Sequence, residues 1–464
     1  MAERKNTTAE QVMATINHER VRFVNLEFTD IVGMAKCVTI PVEQFADCIT
    51  RGKWFDGSSL EGFARIAESD MYLFPDLSTF AVLPAYVHPI PAHQQSADED
   101  IDSGEVVARV ICDVRTPDGE AFDGDPRAAL ARAIEAARAM GYRFLAAPEL
   151  EFFLLRYEDK TAVPLAHDRG SYFDLSTDLA SAVRGQMVHA LQQMGIMIEA
   201  SHHEVAAGQH ELDFEMRDAM QIADGLMTAR YVLKAIAAQH GLYATFLPKP
   251  FFGVNGSGLH IHQQLASLET GKNVFVDERA EYGLSEIGRC FITGQLAHAR
   301  AMCAILAPLV NSYKRLVRGF EAPVHINWGR INRQALIRVP RLSADPQSSM
   351  RVELRCADPS CNPYLALAVM LRAGLDGIQR KLTLPAAMDE NLFLQDDTDW
   401  VRPRVRLLPA TLGEALDALR EDVLIREILG DALYEGFVDA KNIEWSEYSQ
   451  QVHSWEVERY LPIF

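Results

Sequence analysis

Long apolar runs, an excess of basic residues and paired cysteines are all missing from this 464-residue sequence. No stretch approaches about 18 uncharged apolar residues, so we expect no membrane-spanning helix. The N-terminal MAERKNTTAEQ has no apolar segment of the kind that signal peptides need, so we expect a cytoplasmic protein. Acidic residues outnumber basic ones by 64 to 45, and the net charge of −19 disfavours nucleic acid or an anionic membrane as a partner.

The seven cysteines are scattered and show no metal-finger spacing. The closest two are Cys356 and Cys361, and no second pair accompanies them. An odd number of isolated cysteines is typical of free thiols in a reducing compartment, not of a disulfide framework. The cysteines therefore predict neither disulfides nor a zinc site.

Composition and length are those of a folded protein with more than one domain. Hydrophobic residues make up 48% of the chain and charged residues 23%, which is ordinary for a core-forming protein, and the length predicts roughly two to four domains. Residues 21–41 have the pattern of two strands around a turn, and further short strands predict a small, mainly β domain to about residue 112. Asp125-Pro126 then begins a helix, and the pattern beyond it mixes strands with helices. We predict long helices over about 178–194, 217–240, 282–307 and 363–380, and a helical segment with an apolar end from Thr411 onward.

The stretch Pro148–Leu155 predicts a strand that carries two acidic side chains on one face. Because side chains alternate along a strand, Glu149 and Glu151 point the same way, opposite to Leu150 and Phe152. Two like charges side by side in an apolar strand repel each other and lose hydration unless cations lie between them. A solvent-facing edge with two surface carboxylates is the alternative that the strand alone leaves open.

Four further segments place polar side chains in apolar surroundings. Each is a weak signal alone, because a histidine in a strand is more often structural than a ligand, and an Arg-x-Glu-x-Arg strand is more often a surface charge ladder. Five of the carboxylates and one imidazole from these segments and the acidic strand would make a donor set that suits Mg²⁺ or Mn²⁺ better than Zn²⁺. Such a cation cluster beside arginines favours phosphoryl transfer from a nucleotide. The residues are Glu204 and Glu211; His260 and His262; Arg351, Glu353 and Arg355; and Lys314, Arg315, Arg318, Glu321, Arg330, Arg333 and Arg338.

Motifs of this chain resemble type I glutamine synthetase, in order from about residue 21 to the C-terminus. They are FDGSSLEGFARIAESDM (55–71), PELEFFLL (148–155), HHEVAAGQHE (202–211), NGSGLHIH (255–262), YKRLVRGFEAP (313–323), NRQALIRVP (332–340) and RVELRCADPSCNPYLALAVMLRAGLDGI (351–378). The resemblance implies an α+β fold with an N-terminal β-grasp domain at 18–112. A catalytic domain of antiparallel sheet and helices follows at 120–464 and ends in a helical tail.

The resemblance also implies a reaction and its metal ligands. In that family ATP phosphorylates the γ-carboxyl of glutamate, and ammonia attacks the acyl phosphate to give glutamine. Two cations, Mg²⁺ or Mn²⁺, take part. Carried over to this sequence, one is held by Glu151, Glu204 and Glu211, and the other by Glu149, His260 and Glu353.

Further residues match the substrate-binding and catalytic positions of the family. Asp56 matches the carboxylate that binds ammonium and takes its proton, and Glu321 matches the flap residue that closes the site. Arg333 matches the group that stabilises the transferring phosphoryl group. Glutamate would contact Asn255, Gly256, Arg315, Glu321, Arg333 and Arg355, and ATP would contact Glu199, His262, Arg333, Arg338 and Arg351.

In that family the protein is a homo-dodecamer of two stacked hexamers, and the residue matching Asp56 comes from the neighbouring subunit. The apolar C-terminus of this chain fits insertion into the opposing ring. Departures from the family pattern are Arg318 and Phe320 in the flap and Gln264 after the His-x-His motif. The segment Asn391–Phe393 lacks the tyrosine that one subgroup adenylylates, so we predict no adenylylation there. Arg65 resembles the feedback-inhibited subgroup instead.

Three functions are compatible with these motifs. The first is glutamate–ammonia ligation. The second is a related γ-glutamyl ligase for a larger amine, such as a polyamine or ethanolamine, because few contacts set amine specificity. Residues that could reshape the amine pocket are Phe63, Arg65, Arg318 and the segment His325–Trp328. The third is an inactive structural or regulatory homologue, although such proteins are expected to lose metal ligands or Arg333 and none is lost here.

Overall fold

Two β-sheets organise the computed structural model of this chain, which describes residues 7–59, 70–85, 87, 105–158, 161–164, 168, 171–174, 177–389 and 406–464. The first sheet lies before residue 116 and the second begins at residue 142. The predicted α+β class, a mainly β first part followed by an antiparallel sheet with helices, is confirmed. No helix among these residues is both long and apolar enough to cross a membrane.

The smaller, N-terminal sheet carries Asp56 at the end of one of its strands. Its elements are α1 (Ala9–Glu19), β1 (Val21–Thr29), β2 (Ala35–Pro41), α2 (Phe45–Arg51), β3 (Lys53–Asp56), β4 (Asp70–Pro75), β5 (Ala81–Val82) and β6 (Val106–Arg115). The strand order is β2-β1-β6-β4-β3, with β5 also pairing β6. Strands β1 and β6 are parallel, and Val24 and Leu26 of β1 share a core with Val12 and Ile16 of α1.

The larger sheet carries most of the predicted site residues. Its strands are β7 (Tyr142–Glu158), β8 (Thr161–Pro164), β9 (Ile198–His203), β10 (Gln209–Phe214), β11 (Arg217–Asp218), β12 (Tyr243–Thr245), β13 (Leu259–Ser267), β14 (Trp328–Gly329), β15 (Ile337–Arg338) and β16 (Val352–Leu354). The order is β14-β15-β16-β13-β7-β10-β9, and β8, β11 and β12 also pair β7. These described pairs are antiparallel, apart from the short parallel pair of β14 and β15.

Capping residues set the ends of the helices that accompany the larger sheet. Asp125 accepts a hydrogen bond from the first turn of its helix, and Asn362 does the same for the helix that follows it. The helix predicted from about residue 282 starts later, because Tyr282 has a left-handed φ of +62° and Ser285 provides the cap. The helices are α3 (Pro126–Ala139), α4 (Ser181–Gln193), α5 (Ala219–Gln239), α6 (Glu286–Leu306), α7 (Ser312–Arg315), α8 (Pro346–Ser349), α9 (Pro363–Gln379), α10 (Leu412–Glu421), α11 (Val423–Leu429), α12 (Asp431–Ser449) and α13 (Ser454–Tyr460).

A buried arginine joins the two sheets. Arg127 of α3 bonds to Asp76 at 2.6 Å and to Asp113 of β6 on one side, and to Asp224 of α5 at 3.0 Å on the other. Tyr364 donates to the same Asp224 at 2.7 Å. Because these charges and hydrogen bonds satisfy one another out of water, they hold the smaller sheet against α3 and α5, the helices that accompany the larger sheet.

Candidate active site

The register of four neighbouring strands brings the predicted acidic residues together on one face. On β7, Glu149 pairs with His260 of β13 on one side, and Glu151 pairs with Glu211 of β10 on the other. On the next strand, β16, Glu353 pairs with His262. The opposite face of β7 is apolar, as predicted, with Leu150, Phe152 and Leu154 fully buried. The alternative of a solvent-facing edge is therefore wrong, because β7 lies inside the sheet with neighbours on both sides.

A cavity of about 170 Å³ opens over this face. Its walls combine carboxylates with guanidinium groups, a mixture that suits a cation and an anionic ligand together. Predicted site residues that line it are Glu149, Glu151, Glu204, Glu211, Asn255, Gly256, His260, Arg315, Glu321, Arg333, Arg338 and Arg355.

A carboxylate and histidine cluster forms one half of the cavity floor, where Glu149 and His260 line the cavity and Glu353 and His262 contact them. His260 Nδ1 lies 2.9 Å from Glu149 Oε2 and 3.9 Å from Glu353 Oε1, and His262 Nε2 lies 2.6 Å from Glu149 Oε1. Burial opposes ionisation of Glu149, but hydrogen bonds from the two histidines outweigh it and hold its pKa well below the usual range. Burial also opposes ionisation of Glu353, but the Arg355 charge beside it keeps its pKa low. Glu149, His260 and Glu353 can present ligand atoms within 4.8 Å of one another.

In the other half of the floor, the negative charge of the carboxylates exceeds the positive charge of the side chains around them. Burial, and then the charge of Glu151, raise the pKa of Glu204 to about 8, and the same two causes raise the pKa of Glu211 above its ordinary value. His202 Nε2 lies 3.2 Å from Glu211 Oε1, and His202, Glu204 and Glu211 can present ligand atoms within 4.8 Å of one another. Burial disfavours the charged forms of these crowded carboxylates. A divalent cation would stabilise the charged forms, so the group is suited to bind one.

Glu151 lies beside this group and is held by two donors. Its Oε2 accepts hydrogen bonds from Gln209 Nε2 and from the backbone N–H of Gly258, both at 2.9 Å. Its Oε1 lies 3.7 Å from His260 Nε2. Glu151 therefore lies between the two halves of the floor, with one oxygen fixed and the other facing His260.

A third cluster, Asp168, His203 and His210, lies behind the site and does not fit a metal. His203 contacts the Asp168 carboxylate at 2.9 Å and the Glu204 carbonyl at 2.5 Å, so both ring nitrogens face acceptors and must carry protons. Arg184 donates to His210 Nδ1 at 2.9 Å, which leaves the proton on Nε2. Because neither ring has a lone pair free for a metal, this cluster is a hydrogen-bond network that supports β10, which carries Glu211, and the turn that carries Glu204.

Backbone carbonyls and close packing fix the arginine and glycine residues of the cavity wall. Arg315 is buried and donates to the carbonyls of Arg355, Cys356 and Ala357 at 3.0–3.2 Å. A side chain at Gly258 would lie 2.4 Å from the Arg315 guanidinium, so only glycine fits there. Arg338 bonds to Glu353 at 3.0 Å, whereas Arg333 is exposed at the cavity mouth.

Several predicted residues lie away from the cavity of a single chain. Asp56 is exposed, and hydrogen bonds from Ser58 lower the pKa of its carboxyl. Glu199 on β9 is exposed, and neither it nor Arg351 lines the cavity. Phe63, Arg65 and the segment 391–393 lie outside the described residues.

Sequence reasoning missed several residues that line the cavity. Tyr172 hydrogen-bonds Glu204, and burial followed by that charge raises the pKa of its phenol. His202 and Gln209 contact the acidic floor, as described above. Phe320, noticed in the sequence only as a departure, lines the cavity and packs its ring under Lys249 Nζ at 3.7 Å. A sequence signal existed for two of these residues, because His202 and Gln209 belong to the motif HHEVAAGQHE that also carries Glu204 and Glu211.

Known proteins resemble this chain along nearly its whole length. Residues 20–117 match the family model "Glutamine synthetase, beta-Grasp domain" and residues 123–460 match "Glutamine synthetase, catalytic domain". Glutamine synthetase of Thermus thermophilus is 48% identical over 460 residues, covering 98% of this chain and 99% of that protein. Glutamine synthetase of Methanosarcina mazei is 45% identical over 461 residues, covering 99% and 98%.

Solved structures with similar folds include GmaS. A structure of a GmaS/ADP complex superimposes with a TM-score of 0.84 at 28% identity, covering 97% of this chain and 99% of that one. Ligand-free GmaS gives a TM-score of 0.83 at 29% identity, with 98% and 99% coverage. Because these superpositions cover nearly the whole chain, they include both the smaller and the larger sheet.

Proposed function

This chain belongs to the glutamine synthetase family, and from that premise we propose how it forms glutamine from glutamate and ammonia with ATP. The observation that carries the proposal is the cavity floor, where acidic residues of β7 and β10 and a histidine of β13 meet beneath a wall of arginines. Carboxylates beside arginines are the groups that phosphoryl transfer from a nucleotide requires.

Two divalent cations, Mg²⁺ or Mn²⁺, fit the two halves of the floor. Glu151, Glu204 and Glu211 would hold one cation, and Glu149, His260 and Glu353 the other. The crowding of Glu204 and Glu211, which raises their pKa values, supports the first assignment, and the mixed donor set of oxygens and one nitrogen supports the second. When bound, the cations supply charge neutralisation for the phosphate oxygens and for the acceptor carboxylate.

The wall residues would orient the substrates and the transferring group. Glutamate would be bound by Asn255, Gly256, Arg315 and Arg355, with Glu321 and Arg333 beside its reacting end. The planar guanidinium fork suits carboxylates and phosphates, and Arg333 at the mouth would stabilise charge on the transferring phosphoryl group to give a γ-glutamyl phosphate. ATP would contact Glu199, His262, Arg333, Arg338 and Arg351.

Ammonia would be delivered by a carboxylate from another copy of the chain. Asp56 is exposed and lies outside its own cavity, which fits donation to a neighbouring subunit, where it would bind ammonium and accept its proton. Glu321, which adopts a left-handed φ of +57°, would close the site against water that hydrolyses the intermediate. The family's dodecamer of two stacked hexamers agrees with the exposed apolar end of the chain, where Leu461, Ile463 and Phe464 are at least 70% exposed.

A cytoplasmic location is also part of the proposal. Its support is that all seven cysteines are free thiols, as expected in a reducing compartment. The amine alternative is not favoured, because the curated relatives that are 44–48% identical along the full chain are named glutamine synthetase.

The test is product formation from ATP and glutamate with ammonium, compared with ethanolamine and a polyamine under Mg²⁺ or Mn²⁺. We expect phosphate release to require ammonium and the product to be glutamine by mass spectrometry. A larger amine far ahead of ammonium would contradict the assignment of ammonia. Absence of Mg²⁺- or Mn²⁺-dependent ATP turnover with every amine tested would instead support the inactive-homologue alternative.

A further inference from the structure

A single buried glutamine connects Glu151 to the glycine-rich loop of the cavity wall. Gln209 is only 1% exposed. Its Nε2 donates to Glu151 Oε2 at 2.9 Å and to the carbonyl of Gly256 at 3.1 Å, and its Oε1 accepts from the N–H of Ala206 at 3.2 Å. Both N–H groups and the carbonyl oxygen of the side chain therefore have partners.

The partners determine which way the Gln209 amide points. A carboxylate and a backbone carbonyl only accept hydrogen bonds, and a backbone N–H only donates one. The amide nitrogen must therefore face Glu151 and Gly256, and the oxygen must face Ala206. A carboxylate of the same size could not replace it, because it has no hydrogen to donate to either acceptor.

The backbone of Gln209 holds the turn that carries a second acidic residue. Its N–H donates to the Ala206 carbonyl at 2.9 Å, and its carbonyl accepts from the N–H of Glu204 at 2.8 Å. One residue thus touches the Glu151 side chain, the Glu204 backbone and the loop at Gly256. The loop is tied to Glu151 a second time, through the Gly258 N–H.

We propose that Gln209 is a positioning residue that couples cation binding at Glu151 and Glu204 to glutamate binding by the loop Asn255–Gly258. The inference rests on the proposed function, which gives the acidic floor to cations and the loop to glutamate. A carboxylate that moves toward a cation pulls the Gln209 amide, and the amide moves the Gly256 carbonyl. Because such coupling is reciprocal, glutamate raises cation affinity by the same factor by which the cation raises glutamate affinity.

The experiment measures Mn²⁺ binding to the full-length protein by electron paramagnetic resonance, with and without glutamate and without ATP. We expect glutamate to tighten Mn²⁺ binding to the wild type. Gln209→Met removes both donors, so the glutamate effect should fall by about tenfold, the scale of a lost hydrogen bond to a charged group. Gln209→Glu should also lose the effect, yet bind Mn²⁺ at least as tightly, because it adds a carboxylate beside Glu151.

Gln295→Met is the matched control. Gln295 is also fully buried and hydrogen-bonded, to Gln263 and to the Met370 carbonyl, away from the cavity. This variant should lose thermal stability and keep the wild-type glutamate effect. If Gln209→Met fails to fold, the same-sized Gln209→Glu decides the question.

Two results would overturn the inference: both Gln209 variants keeping the wild-type glutamate effect, or the wild type showing none. Neither result would contradict the proposed reaction, because that reaction is tested separately by identifying the product. Conversely, a Gln209-dependent glutamate effect in a protein that makes no glutamine would leave the coupling intact and remove the reaction.

Discussion

Replacing Arg127 with methionine tests how the two sheets are held together. Methionine keeps most of the apolar stem but leaves Asp76, Asp113 and Asp224 without their shared cation. The Asp224 side chain is 8% exposed and cannot recover its hydration, whereas Asp113 is 43% exposed and can. Removing one partner of a buried ion pair costs about 3–5 kcal/mol. Because part of this cluster can be rehydrated, we expect a loss near the lower end, about 3 kcal/mol.

Chemical unfolding followed by tryptophan fluorescence measures this loss, with Arg143→Met as the control. Arg143 also makes two hydrogen bonds to one carboxylate, Asp218, at 2.5 and 2.6 Å, but its side chain is 28% exposed. An ion pair that water reaches contributes about 0–1 kcal/mol. Equal loss of stability in the two variants would refute the role given to burial. The Arg127 variant should also need more ammonium for half-maximal activity, because Asp56 belongs to the sheet that Arg127 holds.

Three further predictions concern other parts of the chain. Phe320→Leu removes the ring under Lys249, a contact worth about 0.5–2 kcal/mol, so more phosphate should be released per glutamine formed, whereas Phe320→Tyr should keep the wild-type ratio. Protein freed of metal by EDTA should melt at a higher temperature when Mn²⁺ is restored. The gain in the free energy of unfolding should be about 2.7 kcal/mol at a Mn²⁺ concentration 100 times the dissociation constant, and Glu211→Gln should reduce this gain. His298 lies between Asp376 and Asp422. Burial opposes its protonation, but the two carboxylates outweigh burial and raise its pKa in the folded protein. Stability of the wild type should therefore fall as pH rises past 6.5, and stability of His298→Asn should fall less.

The face shared by Glu149 and Glu151 could be predicted from the sequence because strand alternation is local. The start of α3 was also a local signal, given by Asp125 followed by Pro126. What alternation could not supply was the register between strands. Whether Glu149 faced an enclosed cavity or open solvent depended on β13 and β10 pairing with β7, and those pairings join residues far apart in the chain.

The residues that the sequence did not reveal act through such long-range contacts. Gln209 contacts Glu151 across 58 residues of sequence, and Arg127 contacts Asp224 across 97. Neither residue type is unusual where it stands, a glutamine beginning a strand and an arginine in the first turn of a helix. Their roles come from what the fold brings to them. Tyr172 was missed for the same reason, since its partner Glu204 lies in a different segment of the chain.

The two acidic side chains on β7 have a spacing that point substitution cannot alter. Two residues along a strand advance the backbone by about 6.6 Å, so the main chain sets the distance between the anchors of the two halves of the floor. Exchanging Glu149 or Glu151 for another residue changes a donor and leaves that distance as it was. Inserting one residue between them would turn Glu151 to the face of Leu150 and Phe152. Along this strand, the proposed cation ligands can therefore change by substitution, whereas an insertion would destroy their arrangement.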